Sequence, residues 1–236
     1  MNIQGKTALV TGANRGLGTA YAKALLAAGA RKVYAGARDP STVTLPGVVP
    51  VKLDVTSPED VAAAAALCND VDIVVNNAGI AMIGSTLFDE ESEKALRAQL
   101  DTNMWGILNV SRAFAPVLSA NGGGALVNML SVLSWLSRPH TLTYSISKAA
   151  AWALTNGLRN ELRDQGTLVV GVHAGLIDTD MVKNLTGPKS SAEDIAQRVI
   201  EGLQNGDEEV LADGVSQQVK ASFALSPSAY LRDQRA

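Results

Sequence analysis

A tyrosine and a lysine stand four residues apart in the stretch YSISK, from Tyr144 to Lys148. Residues at that spacing lie on one face of a helix, so both side chains can point into the same cleft. A fixed ammonium favours the phenolate and lowers the pKa of a nearby tyrosine, which is about 10 in a free side chain. Such a tyrosine can donate or accept the proton when a carbonyl and an alcohol interconvert. Because Y-x-x-x-K also occurs on solvent-exposed helix faces, the pair alone predicts no activity.

A glycine-rich stretch near the start of the chain has the composition of a phosphate-binding turn. TGANRGLG occupies residues 11–18, after a predicted strand and at the start of a predicted helix. Its glycines, Gly12, Gly16 and Gly18, let the backbone turn tightly, while the free N–H groups at the helix start favour a phosphate. A glycine triplet alone is a weak signal, but between a strand and a helix it predicts a dinucleotide site.

Two arginines bear on which dinucleotide would bind. About twenty residues beyond such a turn, a carboxylate usually holds the ribose hydroxyls of NAD, whereas an arginine accommodates the extra phosphate of NADP. Arg38 and Asp39 stand side by side in that region, so the spacing allows either cofactor. Arg15, inside the glycine turn, would bring a second guanidinium, whose planar fork suits a phosphate. The sequence therefore predicts a preference for NADP(H), with NAD(H) possible.

The composition excludes several classes of partner. With 236 residues, 47% of them hydrophobic, the chain can bury the core of one large domain, residues 1–236, and its net charge of −3 offers no basic surface for a nucleic acid. No apolar run approaches the length of about 18 residues that a membrane span needs. Cys68 is the only cysteine, and no leader-like segment precedes Gly5. We expect a cytoplasmic protein with no membrane contact and no metal site.

Short β-branched apolar runs alternate with longer helical stretches along the chain. This pattern predicts an α/β, Rossmann-type, doubly wound parallel sheet of about seven strands flanked by helices. The strand candidates are Thr7–Val10, Lys32–Tyr34, Val48–Leu53, Asp72–Val75, Ala125–Asn128, Leu168–Val172 and an edge strand at Glu209–Ala212. The helix candidates are 17–29, 58–68, 89–119, 142–164, 192–204 and a short closing helix at Ser216–Ala224.

Two connections are predicted to be irregular. Asp39–Gly47 holds two prolines in nine residues, too few for a full helix, so we expect a loop or one turn. Asp178–Ser191 contains Gly187-Pro188 and follows the sixth strand at the carboxyl edge, where open α/β sheets bind ligands. The second segment is therefore the candidate for a lid over the substrate.

Together, the motifs resemble those of the short-chain dehydrogenase/reductase family, in its compact one-domain branch, over nearly the whole chain. TGANRGLG matches the family pattern T-G-x-x-x-G-x-G, and NNAG at residues 76–79 matches its N-N-A-G after the fourth strand. Asn103 fits the asparagine of N-x-x-G, and Ser131 stands thirteen residues before the YSISK tyrosine, like the catalytic serine. Each motif is modest alone, but five in order favour the family strongly.

The resemblance implies a role for each of these side chains. Tyr144 would be the general acid–base, and Lys148 would lower its pKa while hydrogen-bonding the nicotinamide ribose. Ser131 would hold the substrate oxygen and stabilise the charge that develops there. Asn103 would hold a water that connects the lysine to solvent. The two serines inside YSISK would be incidental.

The resemblance also implies the cofactor contacts. Asp54, at the end of the third strand, would contact adenine, and Thr179 would contact the nicotinamide carboxamide. NNAG at 76–79 would flank the adenosine ribose, with a purely structural role for its asparagines equally open. The full predicted set is Gly12, Asn14, Arg15, Gly16, Leu17, Gly18, Arg38, Asp54, Val55, Asn77, Ala78, Gly79, Tyr144, Lys148, Gly175, Ile177 and Thr179.

The chain departs from the family pattern after the sixth strand. Ala174 replaces the usual proline before Gly175, which leaves the entry to the lid less restricted in φ. His173 is a candidate extra base, although a histidine at a strand end is more often structural. The short lid favours an open pocket for bulky or hydrophobic carbonyls. By position, the pocket would be lined by Met82, Leu133, Trp135, His140 and Leu142, of which the histidine could equally face solvent.

These patterns predict an NADP(H)-dependent oxidoreductase that interconverts a ketone or aldehyde and an alcohol. A catalytically silent, NADP-sensing protein on the same fold is the alternative, since a fold does not determine chemistry. Non-catalytic relatives typically lose the tyrosine or the lysine, and both are present. A sugar epimerase or dehydratase shares Y-x-x-x-K but usually needs a longer C-terminal region. The two long helices, which carry Trp105 and Trp152, resemble those that form homodimer or homotetramer contacts in the family.

Overall fold

Seven parallel strands form one sheet in the computed structural model, which describes residues 1–84, 86 and 88–232. Ser85, Leu87 and residues 233–236 of the predicted domain lie outside the described residues. The strands are β1 (Thr7–Thr11), β2 (Lys32–Ala37), β3 (Val49–Lys52), β4 (Ile73–Asn76), β5 (Ala125–Met129), β6 (Leu168–His173) and β7 (Glu209–Leu211). Their order is β3-β2-β1-β4-β5-β6-β7, so the winding direction reverses between β1 and β4, where open α/β sheets bind ligands.

Helices cover both faces of the sheet. They are α1 (Gly16–Ala27), α2 (Pro58–Leu67), α3 (Ser92–Leu100), α4 (Gly106–Ala120), α5 (Leu142–Glu161), α6 (Ala192–Asn205) and α7 (Gly214–Ala221). On one face Leu25 of α1 and Ile195 of α6 share a buried core with Val10. On the other face Phe114 of α4 packs in a core with Leu9. Successive residues of β1 thus bury in opposite layers, which explains why the strands are continuously apolar.

The predicted Rossmann-type fold is confirmed, and most differences lie at the ends of elements. The crossover Asp39–Gly47 contains a single 3-10 turn, Pro40–Thr42, in agreement with the expected loop or turn. The closing helix begins at Gly214 rather than Ser216, because Asp213 caps it, and ends at Ala221 before a 3-10 turn. No helix within the described ranges combines the length and apolarity of a membrane span.

One predicted helix is not uniform. The stretch expected to be helical over 89–119 begins at Ser92, and α3 passes through a π-helical segment, Asp101–Trp105, before continuing as α4. A π-helical turn holds one more residue than an α-helical turn and bulges outward, and such turns are frequent at functional sites. The spacing of apolar residues does not predict this feature. Its consequence is that Asn103 sits on the bulge.

Candidate active site

The candidate residues meet at the carboxyl edge of the sheet. The glycine turn follows β1, Asn77–Gly79 follow β4, Ser131 follows β5, and Gly175 follows β6. Because all strands run in the same direction, these four segments lie along one edge, and α5 brings Tyr144 and Lys148 to it. The structure therefore brings together the four predicted catalytic residues and the predicted phosphate-binding turn.

Tyr144 is half-buried near the start of α5 and shares a side-chain hydrogen bond with Ser131. Burial raises the pKa of Tyr144 to about 12, and the hydrogen bond with Ser131 opposes this rise. The Ser131 hydroxyl oxygen also accepts a hydrogen bond from the Leu133 amide at 3.1 Å, which starts the 3-10 turn Val132–Ser134. The serine side chain is thus held in place beside the phenol.

Lys148 is buried, and its ammonium donates a hydrogen bond to the Met129 carbonyl at 2.8 Å. Burial lowers its pKa to about 8. Nζ lies 5.8 Å from the centre of the Tyr144 ring. Burial is the larger effect on the Tyr144 pKa and raises it, so the predicted lowering of this pKa by Lys148 stays a prediction.

Asn103 joins three segments of the site through its side-chain amide. Oδ1 accepts from the Ile80 amide at 2.8 Å, and Nδ2 donates to the Ile80 carbonyl and to the Ser147 hydroxyl, both at 2.9 Å. Ser147 in turn donates to the Tyr144 carbonyl at 2.8 Å. Ser147 was expected to be incidental, and this expectation is wrong, since it links the asparagine on the π-helical segment to the tyrosine. The Ser145 hydroxyl instead bonds Thr141 at the start of α5.

Gly79 brings the backbone close to two of these side chains. A Cβ atom at this position would lie 3.2 Å from Asn103 Oδ1 and 3.8 Å from Lys148 Nζ. The segment before it is fixed to β1, since Thr11 Oγ1 accepts from the amides of both Asn77 and Ala78. The N-N-A-G motif therefore connects the glycine turn to the catalytic candidates.

The two asparagines of this motif make different contacts. Asn77 Nδ2 donates to the carbonyls of Thr11 and Gly12, so it holds the glycine turn. Asn76 Nδ2 donates to Asn128 Oδ1 at 2.9 Å, and Asn128 donates to Thr155 of α5, a buried polar ladder across β4 and β5. Asn76 thus contributes to the sheet, whereas Asn77 shapes the predicted cofactor groove.

The glycine turn fits a pyrophosphate group. Gly12 and Gly16 have φ values of +64° and +52°, which disfavour other residues, and a Cβ atom at Gly18 would lie 2.1 Å from the Gly12 carbonyl oxygen. No side chain among the described residues caps α1, and its first turn holds no acidic residue. Its amides are therefore available to an anion. The Leu17 side chain is buried in the core, which leaves its backbone as the part able to contact a ligand.

Charged groups near the glycine turn favour a phosphate over a ribose diol. The Asp39 carboxylate accepts from the Ser41 amide at 3.0 Å and the Ser41 hydroxyl at 2.7 Å, and these bonds lower its pKa. Arg38 is exposed and makes no salt bridge within the described part of the chain. Asn14 bonds Thr42 at 3.1 Å and so ties the glycine turn to this crossover. Arg15, also exposed, lies 3.7 Å from Asp180.

The predicted adenine contacts lie at the end of β3. Asp54 accepts from the Thr56 amide and hydroxyl, so its carboxylate is occupied in a local turn. Val55 is buried against Gly106, where a Cβ atom would lie 2.7 Å from Val55 Cγ2. The Val55 carbonyl accepts from Asn109 of α4. This contact explains the glycine of N-x-x-G: it allows α4 to approach the strand end.

The lid candidate Asp178–Ser191 is a loop with a 3-10 turn, Asp180–Val182, and a narrow neck. At the neck the Ser190 amide bonds the Leu176 carbonyl, and the Asp178 amide bonds the Ser190 carbonyl, both at 2.9 Å, with Ile177 paired to Ser190. Thr179 lies against the glycine turn, since a Cβ atom at Gly16 would be 3.2 Å from its Cγ2. The lid therefore starts directly above the predicted phosphate site.

Asp213 anchors this neck and was missed by sequence reasoning. Its Oδ2 accepts from the Gly175 amide at 2.7 Å and from the Ser190 hydroxyl at 3.4 Å, while Oδ1 accepts from the Ser216 amide at 2.7 Å. One carboxylate thus joins the segment before the lid to the end of the lid and caps α7. An aspartate before Gly214 at a helix start does signal a cap, but nothing local indicates its partner at Gly175.

The predicted substrate residues lie in different surroundings. Met82 and His140 are exposed. The His140 carbonyl accepts from the Gly84 amide, and the His140 φ of 62° is unusual for a residue other than glycine. Leu133 and Leu142 are half-buried near Ser131 and Tyr144 in the chain. Trp135 packs its ring flat on His173, at 3.7 Å between ring centres. A pocket-lining role for these five residues stays a prediction.

His173 is not suited to act as a base. It is 1% exposed, and burial lowers its pKa to about 4, so the ring is neutral at physiological pH. Its Nδ1 lies 3.0 Å from the Ser131 carbonyl oxygen. The described residues contain no cluster of three or more histidine, cysteine, aspartate or glutamate side chains that could hold a metal ion.

The chain is similar to known proteins over most of its length. Residues 6–190 match the family model for short chain dehydrogenase. The chain is 34% identical over 224 residues to 1-deoxy-11-beta-hydroxypentalenate dehydrogenase of Streptomyces exfoliatus, covering 86% of this chain and 81% of that protein. It is 31% identical over 238 residues to a 3-oxoacyl-(acyl-carrier-protein) reductase of Vibrio cholerae, covering 97% and 93%. A crystal structure of a short chain dehydrogenase from Burkholderia cenocepacia in complex with NADP is similar with a TM-score of 0.92 and 40% identity, covering 97% of both chains.

Proposed function

The chain belongs to the short-chain dehydrogenase family, and from this membership we propose that it is an NADP(H)-dependent oxidoreductase that interconverts a ketone or aldehyde and an alcohol, as a carbonyl reductase or alcohol dehydrogenase. One observation carries the proposal: Tyr144 and Ser131 share a hydrogen bond beside the buried Lys148, and Ser147 links Tyr144 to Asn103. A silent NADP-sensing protein would have no need of this complete set.

The side chains divide the proton chemistry among them. The nicotinamide, when bound, supplies the hydride for reduction or accepts it for oxidation. Ser131 holds the carbonyl oxygen, and Tyr144 donates its phenolic proton to that oxygen as the C–H bond forms at the carbonyl carbon. A Tyr144 pKa of about 12 keeps the phenol protonated at neutral pH, which suits a proton donor. In the oxidation direction the same groups act in reverse.

Lys148 is suited to return the proton that Tyr144 gives up. Its pKa of about 8 lets it gain and lose a proton near neutral pH. It lies between the tyrosine ring and the Met129 carbonyl, and Gly79 leaves room between its ammonium and Asn103. We infer that Lys148 also binds the nicotinamide ribose, with Asn103 holding a water on the path to solvent.

A preference for NADP over NAD is supported by the crossover after β2. The Asp39 carboxylate already caps its own turn through Ser41, so it is less available to a ribose diol. Arg38 is exposed and Arg15 stands in the glycine turn, so two guanidiniums can converge on a phosphate. The similar protein from Burkholderia cenocepacia was crystallised with NADP. NAD would bind with lower affinity.

The proposal is tested by following the loss of NADPH absorbance with a panel of aliphatic, aryl, steroid and quinone carbonyls. Tyr144→Phe should lower kcat by about a thousandfold, because it removes the general acid, while NADPH binding measured by fluorescence stays unchanged. Tyr34→Phe is a matched control, since the Tyr34 hydroxyl bonds Lys32 and Asp70 at the opposite edge of the sheet.

Two outcomes would contradict the proposal. Full activity of Tyr144→Phe would show that the phenol is not the acid. A wild-type protein that binds NADPH tightly but turns over no carbonyl in the panel would favour the sensing alternative.

A further inference from the structure

His173 contacts the backbone of the candidate catalytic serine. It is the last residue of β6, and it lies beside the segment that carries Ser131, which continues the β5–β6 pairing through Leu130 and Val132. His173 Nδ1 is 3.0 Å from the Ser131 carbonyl oxygen. A carbonyl oxygen can only accept a hydrogen bond, so Nδ1 carries the hydrogen and donates it. The neutral ring is therefore held in one tautomer.

The ring is also fixed in its plane. Trp135 stacks on it at 3.7 Å between ring centres, with 20° between the planes. Phe223, in the 3-10 turn after α7, packs edge-on against the Trp135 ring, at 5.6 Å between ring centres. The Lys220 ammonium lies 5.2 Å from the centre of the Trp135 ring. Trp135 thus sets the orientation of the imidazole, and Phe223 and Lys220 pack against Trp135 in turn.

The groups that face the imidazole keep it a donor at neutral pH. The Glu209 carboxylate lies 3.9 Å from Nε2 and favours the charged ring, but it is paired with Lys220 at 2.7 Å. Lys220 and Lys148 both disfavour a positive charge on His173. Burial is the largest effect and lowers the His173 pKa to about 4. The hydrogen bond to Ser131 therefore does not change across the physiological pH range.

Two side chains bond backbone carbonyls at and just after the end of β5. Lys148 of α5 bonds the Met129 carbonyl, and His173 of β6 bonds the Ser131 carbonyl two residues later. The orientation of the Ser131 peptide determines where its hydroxyl points, and that hydroxyl bonds Tyr144. Resting on the oxidoreductase function proposed above, we propose that His173 is a positioning residue, which sets the Ser131 hydroxyl in line with Tyr144 through its Nδ1–H bond to the Ser131 carbonyl.

Two substitutions of His173 separate the effect of the hydrogen-bond donor at Nδ1 from the effect of side-chain size. In His173→Asn the side-chain NH2 can occupy the place of Nδ1, whereas in His173→Gln the NH2 reaches instead toward the place of Nε2. His173→Gln should lower kcat by about tenfold, because a small misplacement of the serine is costly, with the KM for NADPH unchanged. His173→Asn should retain most of the wild-type kcat.

A matched control excludes a general loss of stability as the cause. Val170→Ala removes buried methyl groups from the same strand without touching Ser131, so it should lower the melting temperature while leaving kcat unchanged. If neither His173 variant folds, Trp135→Leu serves in their place. It leaves the imidazole present but removes the stacked ring, and it should lower kcat while the KM for NADPH stays at the wild-type value.

A spectroscopic measurement tests the geometry without turnover. In the wild-type protein at neutral pH, nitrogen NMR of labelled histidine should show His173 neutral and protonated at Nδ1. Any of three results would overturn the positioning role and leave the oxidoreductase function standing. They are a ring protonated at Nε2 instead, a His173→Gln variant with wild-type kcat, and a His173→Asn variant as impaired as His173→Gln. A wild-type protein without any carbonyl turnover would overturn the oxidoreductase function itself, and the role of His173 in it.

Discussion

Burial acts on Tyr144 and Lys148 in the same sense, since it favours the uncharged form of each. The phenol is held protonated, and the ammonium loses its proton more easily than a lysine in water. Burial is the largest effect on both pKa values, and the Lys148 ammonium donates a hydrogen bond to the Met129 carbonyl. The site therefore starts from a proton donor, which suits carbonyl reduction.

Lys148 should make carbonyl reduction sensitive to alkaline pH. Below its pKa of about 8 the side chain is an ammonium that can bind ribose and pass on a proton, and above it the side chain is a neutral amine. We expect kcat/KM to be level at lower pH and to fall about tenfold per pH unit above about pH 8, because the Lys148 ammonium loses its proton there. In Lys148→Arg, the residual kcat/KM should not fall above pH 8, because arginine stays protonated there. A wild-type profile that stays level well above that pH would contradict the assignment.

Arg38 should discriminate between the two dinucleotides. Arg38→Leu removes a charge-assisted hydrogen bond to the extra phosphate, so kcat/KM with NADPH should fall about tenfold while that with NADH is unchanged. Arg163→Leu is the control, because Arg163 is exposed and pairs with Glu208 after the end of α5. An equal loss with both cofactors in Arg38→Leu would argue against a phosphate contact. Steady-state kinetics with each cofactor makes the comparison.

At the level of elements, hydrogen bonds at the neck of the lid restrain both strands of the loop. Asp213 bonds Gly175, just before the loop, and Ser190 near its far end, while Ala174 replaces the proline that is common at this position in the family. The Asp213 carboxylate thus restrains this segment by a hydrogen bond, where the family commonly restrains it by the ring of a proline.

Removal of the Asp213 carboxylate should weaken cofactor binding more than it alters the chemical step. Asp213→Ala leaves the Gly175 amide without its partner, and we expect the KM for NADPH to rise about tenfold with a smaller change in kcat. Ser216→Ala is the matched control, since it removes the reciprocal hydroxyl of the α7 cap but keeps the bond to Gly175. If both variants raise the KM for NADPH equally, the cap of α7 is responsible and the bond between Asp213 and Gly175 is not.

Local patterns account for the order of elements, because strands buried on both faces are apolar throughout and the glycine turn marks the first crossover. The catalytic candidates could be named because their motifs are linear. The roles of Ser147 and Asp213 could not be predicted, since each depends on a distant partner, Asn103 and Gly175 respectively. The pKa of Tyr144 depends on burial, which residue spacing does not reveal.

At the level of the whole molecule, two large apolar side chains remain exposed near the π-helical segment. Trp105 is 49% exposed and Ile146 of α5 is 36% exposed, and these elements pack against each other. Tryptophan and other apolar side chains that stay exposed are typical of protein interfaces. This surface supports the prediction of a homodimer or homotetramer.

The oligomeric state can be measured directly by light scattering after gel filtration. We expect a mass that is a multiple of the chain mass of 24.6 kDa, and Trp105→Glu should shift it toward the single chain, because a carboxylate is costly to bury in an interface. Leu67→Glu, on the exposed side of α2, should leave the mass unchanged. A wild-type protein of 24.6 kDa would contradict the prediction.

The strand order also determines when the site can form as the chain folds. Every neighbouring pair of strands is parallel, so each pairing waits for a crossover to close, and the central pairing joins Ala8 to Ile73. Such non-local pairings make folding slow compared with that of a helical bundle of equal size. The glycine turn, Asn77 and Ser131 belong to different crossovers and meet only once β1, β4 and β5 have assembled. Catalytic competence should therefore appear late in refolding, after most helical structure has formed.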